Sequence, residues 1–321
     1  MELIRGLHNL RARHQGCVLT IGVFDGVHVG HKTLLSRLAV LGEDYDLPSV
    51  LMCFESHPQE VLDYLVTPAR ITPFREKMMA LMETTVERVL CVKFDHAFAS
   101  LAPESFVEDI LVKRLGVRHL VVGDDFRFGF EAQGDFDFLG RMGRRHGFDV
   151  HRRDTHRIAG DRVSSTRIRN LLALGQLDTA AELLGRRYAV SGRVRFGRQL
   201  GRTIGFPTAN VALRRKVSPL SGVFAVQVQL AGEATPRPAV ANIGHRPTVG
   251  GTEHLLEVHL LDYLGDLYGV YVNVELMMKI REERRFEGLD PLKAQIARDA
   301  DTAREYFLEH PIDAPSGRGV T

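Results

Sequence analysis

Gly22-Val23-Phe24-Asp25-Gly26-Val27-His28-Val29-Gly30-His31 is the stretch on which the reading of this chain turns. It follows a short apolar run, Val18–Gly22, and leads into a segment with helical spacing, His31–Gly42. The glycines at 26 and 30 permit tight turning and close approach of backbone to a ligand. His28 and His31 are three residues apart, so on a first helical turn they share a face. The free N–H groups and dipole of a helix N-terminus favour anions, and two imidazoles there suit phosphate. Such a loop fits an ATP attacked at its α-phosphorus, with the residues holding geometry and stabilising charge rather than forming a covalent intermediate. A His-x-x-His pair can also bind metal, but no third ligand or HExxH helix accompanies it. Gly30-His31-Lys32-Thr33 lacks the Gly-Lys adjacency and the preceding spacing of a P-loop.

Outward from this loop, three more β-branched apolar runs follow: Ser49–Phe54, Arg88–Phe94 and His119–Gly123. Helical patterns at Pro73–Glu83 and Pro103–Leu115 succeed the first two of these. The alternation predicts a parallel sheet covered by helices, whose ligands gather beyond the carboxyl ends of the strands. Ser164–Leu174 and Asp178–Leu184 read as two helices, the first opened by serines able to cap it. The period then changes. Tyr188–Val194, Gly222–Leu230, Ala239–Ile243, Leu255–Leu261 and Tyr271–Leu276 predict an antiparallel barrel or compact sheet. A helix from about Pro291 to Leu308 closes the pattern, with Leu292, Ile296, Ala300 and Phe307 near one face.

With 321 residues the chain has room for two domains, placed at 1–183 and 184–308, with 309–321 as a loose tail. Hydrophobic content of 44% and a formal net charge of +2 are those of a globular protein with no global attraction for nucleic acid. Arg141, Arg144, Arg145, Arg152, Arg153 and Arg157 form a basic stretch without aromatic interleaving, which reads as a solvated face. The N-terminus has no signal-peptide run, and no stretch approaches a membrane span. Cys17, Cys53 and Cys91 are scattered and odd in number, which predicts buried thiols in a reduced, cytoplasmic setting. A monomer or weak homo-oligomer is expected.

A second cluster runs from Gly192 through Gly197, Gly201 and Gly205 to Pro207-Thr208-Ala209-Asn210. Glycines so spaced leave main-chain N–H groups available to polyphosphate, although a flexible hairpin has the same composition. Thr208 and Asn210 lie on one side of an extended chain. Two neutral oxygen ligands completed by phosphates and waters suit Mg²⁺.

These segments together resemble a known family. Gly-x-Phe-Asp-Gly-x-His-x-Gly-His resembles the bacterial FAD synthetase branch of the HxGH nucleotidylyltransferases. Phe54-Glu55-Ser56-His57-Pro58, the segment Val122 to Gly129, and Ser164-Ser165-Thr166-Arg167-Ile168-Arg169 match the same branch. The cluster around Pro207-Thr208-Ala209-Asn210 is similar to the flavokinase module, as are Gly222–Ala225, Asn242–Thr248, Glu257–Asp262 and Ile280–Phe286. The resemblance covers roughly residues 3 to 308 and implies a Rossmann-like α/β nucleotidylyltransferase domain followed by a β-barrel flavokinase domain with a C-terminal helix. It implies that Gly22, Phe24, Asp25, His28, His31, Ser165, Thr166 and Arg169 bind ATP, with the two histidines catalytic. Phe54, His57, Pro58, Asp125 and Arg127 would line the FMN/ATP cleft. In the second module Gly197, Gly201, Gly205, Thr208, Asn210 and Arg281 would bind ATP or flavin, Thr208 and Asn210 would hold Mg²⁺, and Glu257 would be the general base. The implied reactions are phosphorylation of riboflavin to FMN by the second module and adenylylation of FMN to FAD by the first. Position 23 is Val where many relatives carry Asn, and position 125 is Asp where some carry Asn. Two rival readings stay open: a nucleotidylyltransferase for another phosphorylated acceptor, and a flavin-binding regulator without catalysis. Intact His28, His31, Thr208, Asn210 and Glu257 weigh against the second.

Overall fold

The computed structural model describes residues 1–62, 67–123, 125–153, 156–196, 205–213, 217–248 and 251–312. They form two compact units, Met1–Pro68 with Phe74–Ser165, and Ala69–Pro73 with Thr166–Thr321.

In the first unit six strands form one sheet: β1 (Glu2–Arg5), β2 (Cys17–Ile21), β3 (Ser49–Phe54), β4 (Arg88–Val92), β5 (Val117–Val122) and β6 (Asp149–Arg152). Their order is β1-β4-β3-β2-β5-β6, and every pairing is parallel. β2 and β3 are buried at every position, as strands covered on both faces must be. The four strands expected from apolar runs are the four inner ones. The sequence reading passed over β1 and β6, because an edge strand is half-solvated and carries no apolar run. The strand order reverses at β2, which has β3 on one side and β5 on the other. The crevice beyond its carboxyl end is therefore a topological switch point, where α/β sheets bind ligands.

The helix after β2 spans Val29–Tyr45 and ends on Asp46 in the left-handed region. The segment expected as a helix at Pro103–Leu115 is one α-turn, Pro103–Ser105, continuing as a π-helix over Phe106–Arg114. An unforeseen helix, Phe136–His146, is capped by the Asp135 carboxylate at its start and by Gly147 at its end. A two-stranded ribbon, β7 (Arg157–Ile158) and β8 (Asp161–Arg162), precedes Ser165. Cys17, Cys53 and Cys91 are buried free thiols, and burial pushes the Cys17 thiol up to about 12.

Ser165 ends the first unit, and the helix it opens, Ser165–Ala173, continues in the second. After Leu177–Leu184 come β9 (Ala189–Arg195), β10 (Ala209–Ala212), β11 (Gly222–Leu230), β12 (Arg237–Thr248), β13 (Gly251–Leu260) and β14 (Tyr271–Arg281). They close into a barrel ordered β10-β13-β12-β11-β14-β9, with every pairing antiparallel. Closure depends on β10, which pairs with both β13 and β9. Four residues around Asn210 are too few to show a period in sequence, which left barrel and compact sheet open. Along β13, buried Leu256, Val258 and Leu260 alternate with half-buried Leu255, Glu257 and His259. The final helix, Leu289–Glu309, lays Ala300 and Ala303 against Val223, Ala225 and Val240. Most of the tail expected at 309–321 lies outside the described residues.

Candidate functional site

In the first unit the chain leaves β2 at Gly22, whose N–H donates to the Met52 carbonyl and so stays tied to β3. Phe24 (φ 52°) and Val27 (φ 43°) then take left-handed backbone conformations. A β-branched residue there is strained, and both side chains are buried, so packing imposes the turn. The turn places His28 at the N-cap rather than in the first helical turn, which corrects the expected shared helix face. The histidines meet by stacking instead, with ring centroids 3.6 Å apart and Phe24 on the other side of His31 at 4.4 Å. Gly30 is needed for close approach: a Cβ there would lie 3.3 Å from the His28 ring and 3.4 Å from His156 Cβ.

His28 Nδ1 accepts from the His31 N–H at 3.2 Å. A neutral His28 therefore carries its proton on Nε2. Burial pushes the His31 pKa well below 6.5, helped by His28, Arg153 and Lys77. His31 Nδ1 is buried with no hydrogen-bond partner among the described residues. Ser165 donates its hydroxyl to the Asp25 carbonyl at 2.9 Å, joining the distant Ser165 to the loop.

Lys77, on the helix Phe74–Met82, is a site residue that sequence reasoning missed. It is only 6% exposed, and its Nζ donates to the Val23 carbonyl at 2.8 Å and the Phe54 carbonyl at 3.3 Å. Both bonds fasten the carboxyl ends of β2 and β3, and the ammonium charge lies beside the expected phosphate site. In sequence it is one lysine among a helix's polar residues and gives no signal.

Phe54 is a core residue in edge contact with Phe94 (5.3 Å) and Phe98 (5.9 Å). His57 caps the short helix that Pro58 opens, its Nδ1 accepting from the Gln59 N–H. Asp125 is exposed and paired with Arg162 at 2.9 Å, and that hydrogen bond holds its carboxyl below the usual range. Arg127 is exposed and donates to the Phe126 carbonyl. Thr166 and Arg169 lie in the second unit, where Arg169 donates to the Ala69 carbonyl at 2.7 Å.

The barrel builds its site by register. Asn210 lies opposite Glu257, Glu257 opposite Asn242, Asn242 opposite Val223, and Val223 opposite Arg281. On the other side Asn210 faces Arg195. Directly opposed residues share a face with Cβ atoms about 4.5–5.5 Å apart. One row across six strands thus collects the expected metal ligand, the expected base and the expected arginine. Asn242 and Arg195 are members that sequence reasoning did not single out. Asn242 Oδ1 is buried with no hydrogen-bond partner among the described residues, beside Glu257.

Arg281 is engaged from the terminal helix: its Nε and Nη2 donate to the Asp299 carboxylate at 2.8–3.1 Å. Asp299 is buried and Arg281 half-buried in this pair. His259 Nδ1 lies 2.9 Å from the Pro207 carbonyl, so that nitrogen bears the proton and holds the Pro207-Thr208 run to β13. A cavity of ≈ 350 Å³ beside Thr208 is lined by Val194, Val258, Leu260, Tyr263 and Tyr268 among others. Of the four glycines expected to offer amides, Gly192 is a packing glycine paired with Val272, and a Cβ there would strike Val211. Gly205 keeps a left-handed backbone (φ 86°), while Gly197 and Gly201 lie outside the described residues. Among the described residues Thr208 and Asn210 offer neutral oxygens on one side of an extended run, a donor set that fits Mg²⁺.

Comparison with known proteins bears on both units. The family model for FAD synthetase matches residues 10–167, and that for riboflavin kinase matches residues 184–307. A bifunctional riboflavin kinase/FMN adenylyltransferase of Escherichia coli K12 is 54% identical over 96% of this chain and 98% of its own length. Its counterpart in Pseudomonas fluorescens is 48% identical over 95% of this chain and 97% of its own. A crystal structure described as a macrolide-efflux protein from Streptococcus pneumoniae superposes with a TM-score of 0.78 at 28% identity, covering 95% of this chain and 99% of that one. Among the described residues of this chain, no helix is long and apolar enough to cross a membrane.

Proposed function

The chain belongs to the family of bifunctional riboflavin kinase/FMN adenylyltransferases, and from that premise we propose which of its residues perform each step. It makes FMN from riboflavin and ATP in the C-terminal module and FAD from FMN and ATP in the N-terminal one. We place the module boundary near residue 183.

For the kinase step, Glu257 accepts the proton of the riboflavin 5′-hydroxyl as that oxygen attacks the γ-phosphorus of ATP, and ADP departs. Thr208 and Asn210 are the oxygen donors for Mg²⁺, which when bound neutralises phosphate charge. Gly197, Gly201 and Gly205 belong to the phosphate loop. Arg281, oriented by Asp299, contributes positive charge at the other end of the row. The observation that carries this reading is the direct pairing of Asn210 with Glu257, which sets base and metal ligand side by side on adjacent strands.

For the adenylyl step, an FMN phosphate oxygen attacks the α-phosphorus of ATP and pyrophosphate leaves. His28 and His31, the latter kept neutral by burial, stabilise the charge on the phosphates. Gly22, Phe24 and Asp25 shape the loop; Ser165, Thr166 and Arg169 bind ATP by the family motif. Phe54, His57, Pro58, Asp125 and Arg127 line the flavin side. The protein works on small molecules in the cytoplasm, as a monomer or weak oligomer.

The test is chromatographic. Protein, riboflavin, ATP and Mg²⁺ are incubated, and FMN and FAD are followed. Glu257→Ala is expected to slow FMN formation by about 10²–10⁴ while FMN is still converted to FAD. Joint replacement of His28 and His31 by Ala does the reverse. Loss of both activities from either change in a folded protein defeats the assignment. A wild-type protein that makes no FMN from riboflavin defeats the kinase reading and favours an adenylylating enzyme alone.

A further inference from the structure

The first unit carries a second constellation, which neither reaction uses. β5 and β6 are parallel neighbours, and His119 pairs in register with Asp149. His151, two residues on, shares the Asp149 face. His119 Nδ1 is 3.4 Å from Asp149 Oδ2 and 3.3 Å from His151 Nε2. One ligand atom from each of the three residues lies within 4.8 Å of the others.

These distances are long for hydrogen bonds, whose N–H···O range is about 2.7–3.2 Å. They do match the edge of a metal tetrahedron. Ligand atoms about 2.0–2.1 Å from a central ion at the tetrahedral angle are separated by roughly 3.3–3.4 Å. The setting also suits a cation. The His119 side chain is 7% exposed and that of Asp149 is 73% exposed, so the site has a fixed floor and an open mouth. The Tyr45 ring lies 3.9 Å from the His119 ring, at the last residue of the helix Val29–Tyr45. A helix C-terminus carries negative partial charge and favours a cation.

We propose that His119, Asp149 and His151 bind one divalent transition-metal ion of the zinc class, with solvent in the fourth position. Two imidazoles and a carboxylate select such an ion over Mg²⁺, which prefers an all-oxygen octahedron. His119 and Asp149 lie in the amino-terminal halves of their strands, while the adenylyl loop lies beyond the carboxyl end of β2. Its physical effect is to fasten an edge strand: among the described residues β6 pairs with β5 alone in the sheet.

Chelator-treated full-length protein is titrated with Co²⁺ in excess Mg²⁺, reading the visible absorption of the bound ion, and then with Zn²⁺ by calorimetry. One equivalent of Co²⁺ with an intense tetrahedral spectrum, displaced by Zn²⁺, is expected. Asp149→Ala and His151→Ala remove accessible ligands and weaken binding at least the roughly tenfold that loss of even a supporting group costs. Joint replacement of His28 and His31 by Ala leaves binding intact. The site is disproved by absent binding, by a weak octahedral spectrum, or by affinity that both ligand replacements leave unchanged. Binding abolished by the His28 and His31 replacements would move the ion to that pair and overturn the assignment as well.

Discussion

The candidate loop of the parallel-sheet unit, Gly22–His31, is ten consecutive residues, whereas the barrel gathers its row from Arg195 to Arg281 across six strands. The loop is shaped locally: two buried residues with positive φ, a capping imidazole and a glycine that admits it. The row is shaped by register, so slipping any strand by one residue turns its member to the other face. A locally coded site is therefore sensitive to its own backbone, and a register-coded site to whatever holds strands and helix together. The barrel has a specific tie of this kind in the Arg281–Asp299 pair between β14 and the terminal helix.

The largest effect that would sharpen this contrast is expected at that tie. Asp299→Ala leaves the Arg281 guanidinium without its carboxylate and lowers barrel stability by about 3 kcal/mol, read from urea unfolding. FMN formation falls with it, while conversion of supplied FMN to FAD persists. Unchanged unfolding would mean that the helix is held by its apolar face alone, and the contrast would lose its barrel half.

A smaller effect is expected in the loop. Gly30→Ala puts a methyl group 3.3 Å from the His28 ring, which must shift by a few tenths of an ångström. Misplacement on that scale should slow FAD formation by roughly tenfold and spare FMN formation. Full adenylylation activity in this variant would show that the imidazole position does not matter to the chemistry.

The smallest effect is a pH dependence of stability. His31 has its folded pKa below the unfolded value of 6.5, so the unfolded chain takes up the proton first as the pH falls. The stability tied to neutral His31 is present above about 6.5 and drains away as the pH drops toward the folded pKa. Urea unfolding of the first unit should weaken just below pH 6.5, and His31→Gln should flatten that slope. A slope of the opposite sign would mean that His31 is charged in the folded protein.

Much of both candidate sites was legible because their residues are neighbours in the chain. Gly22–His31 announces a strand, a turn and a helix start, and the apolar runs at β2 and β3 announce fully buried strands. Pro207-Thr208-Ala209-Asn210 shows two oxygens on one side of an extended chain. Lys77 and Asn242 were not legible, because a lysine on a helix and an asparagine on a strand gain meaning only from what they face. The edge strands β1 and β6 escaped for a related reason: with one side unpaired they need no apolar pattern.

The sequence by itself determined the two-module order and the class of each module, since hydrophobic period and motif spacing are properties of neighbouring residues. Tertiary structure alone decided that His28 caps and stacks rather than sharing a helical turn with His31. It also decided that Glu257 stands between Asn210 and Asn242, and that Arg281 is held by Asp299. Those pairings depend on strand register and on how a buried turn packs. Both are set by contacts between residues far apart in the chain, whose partners no local pattern names.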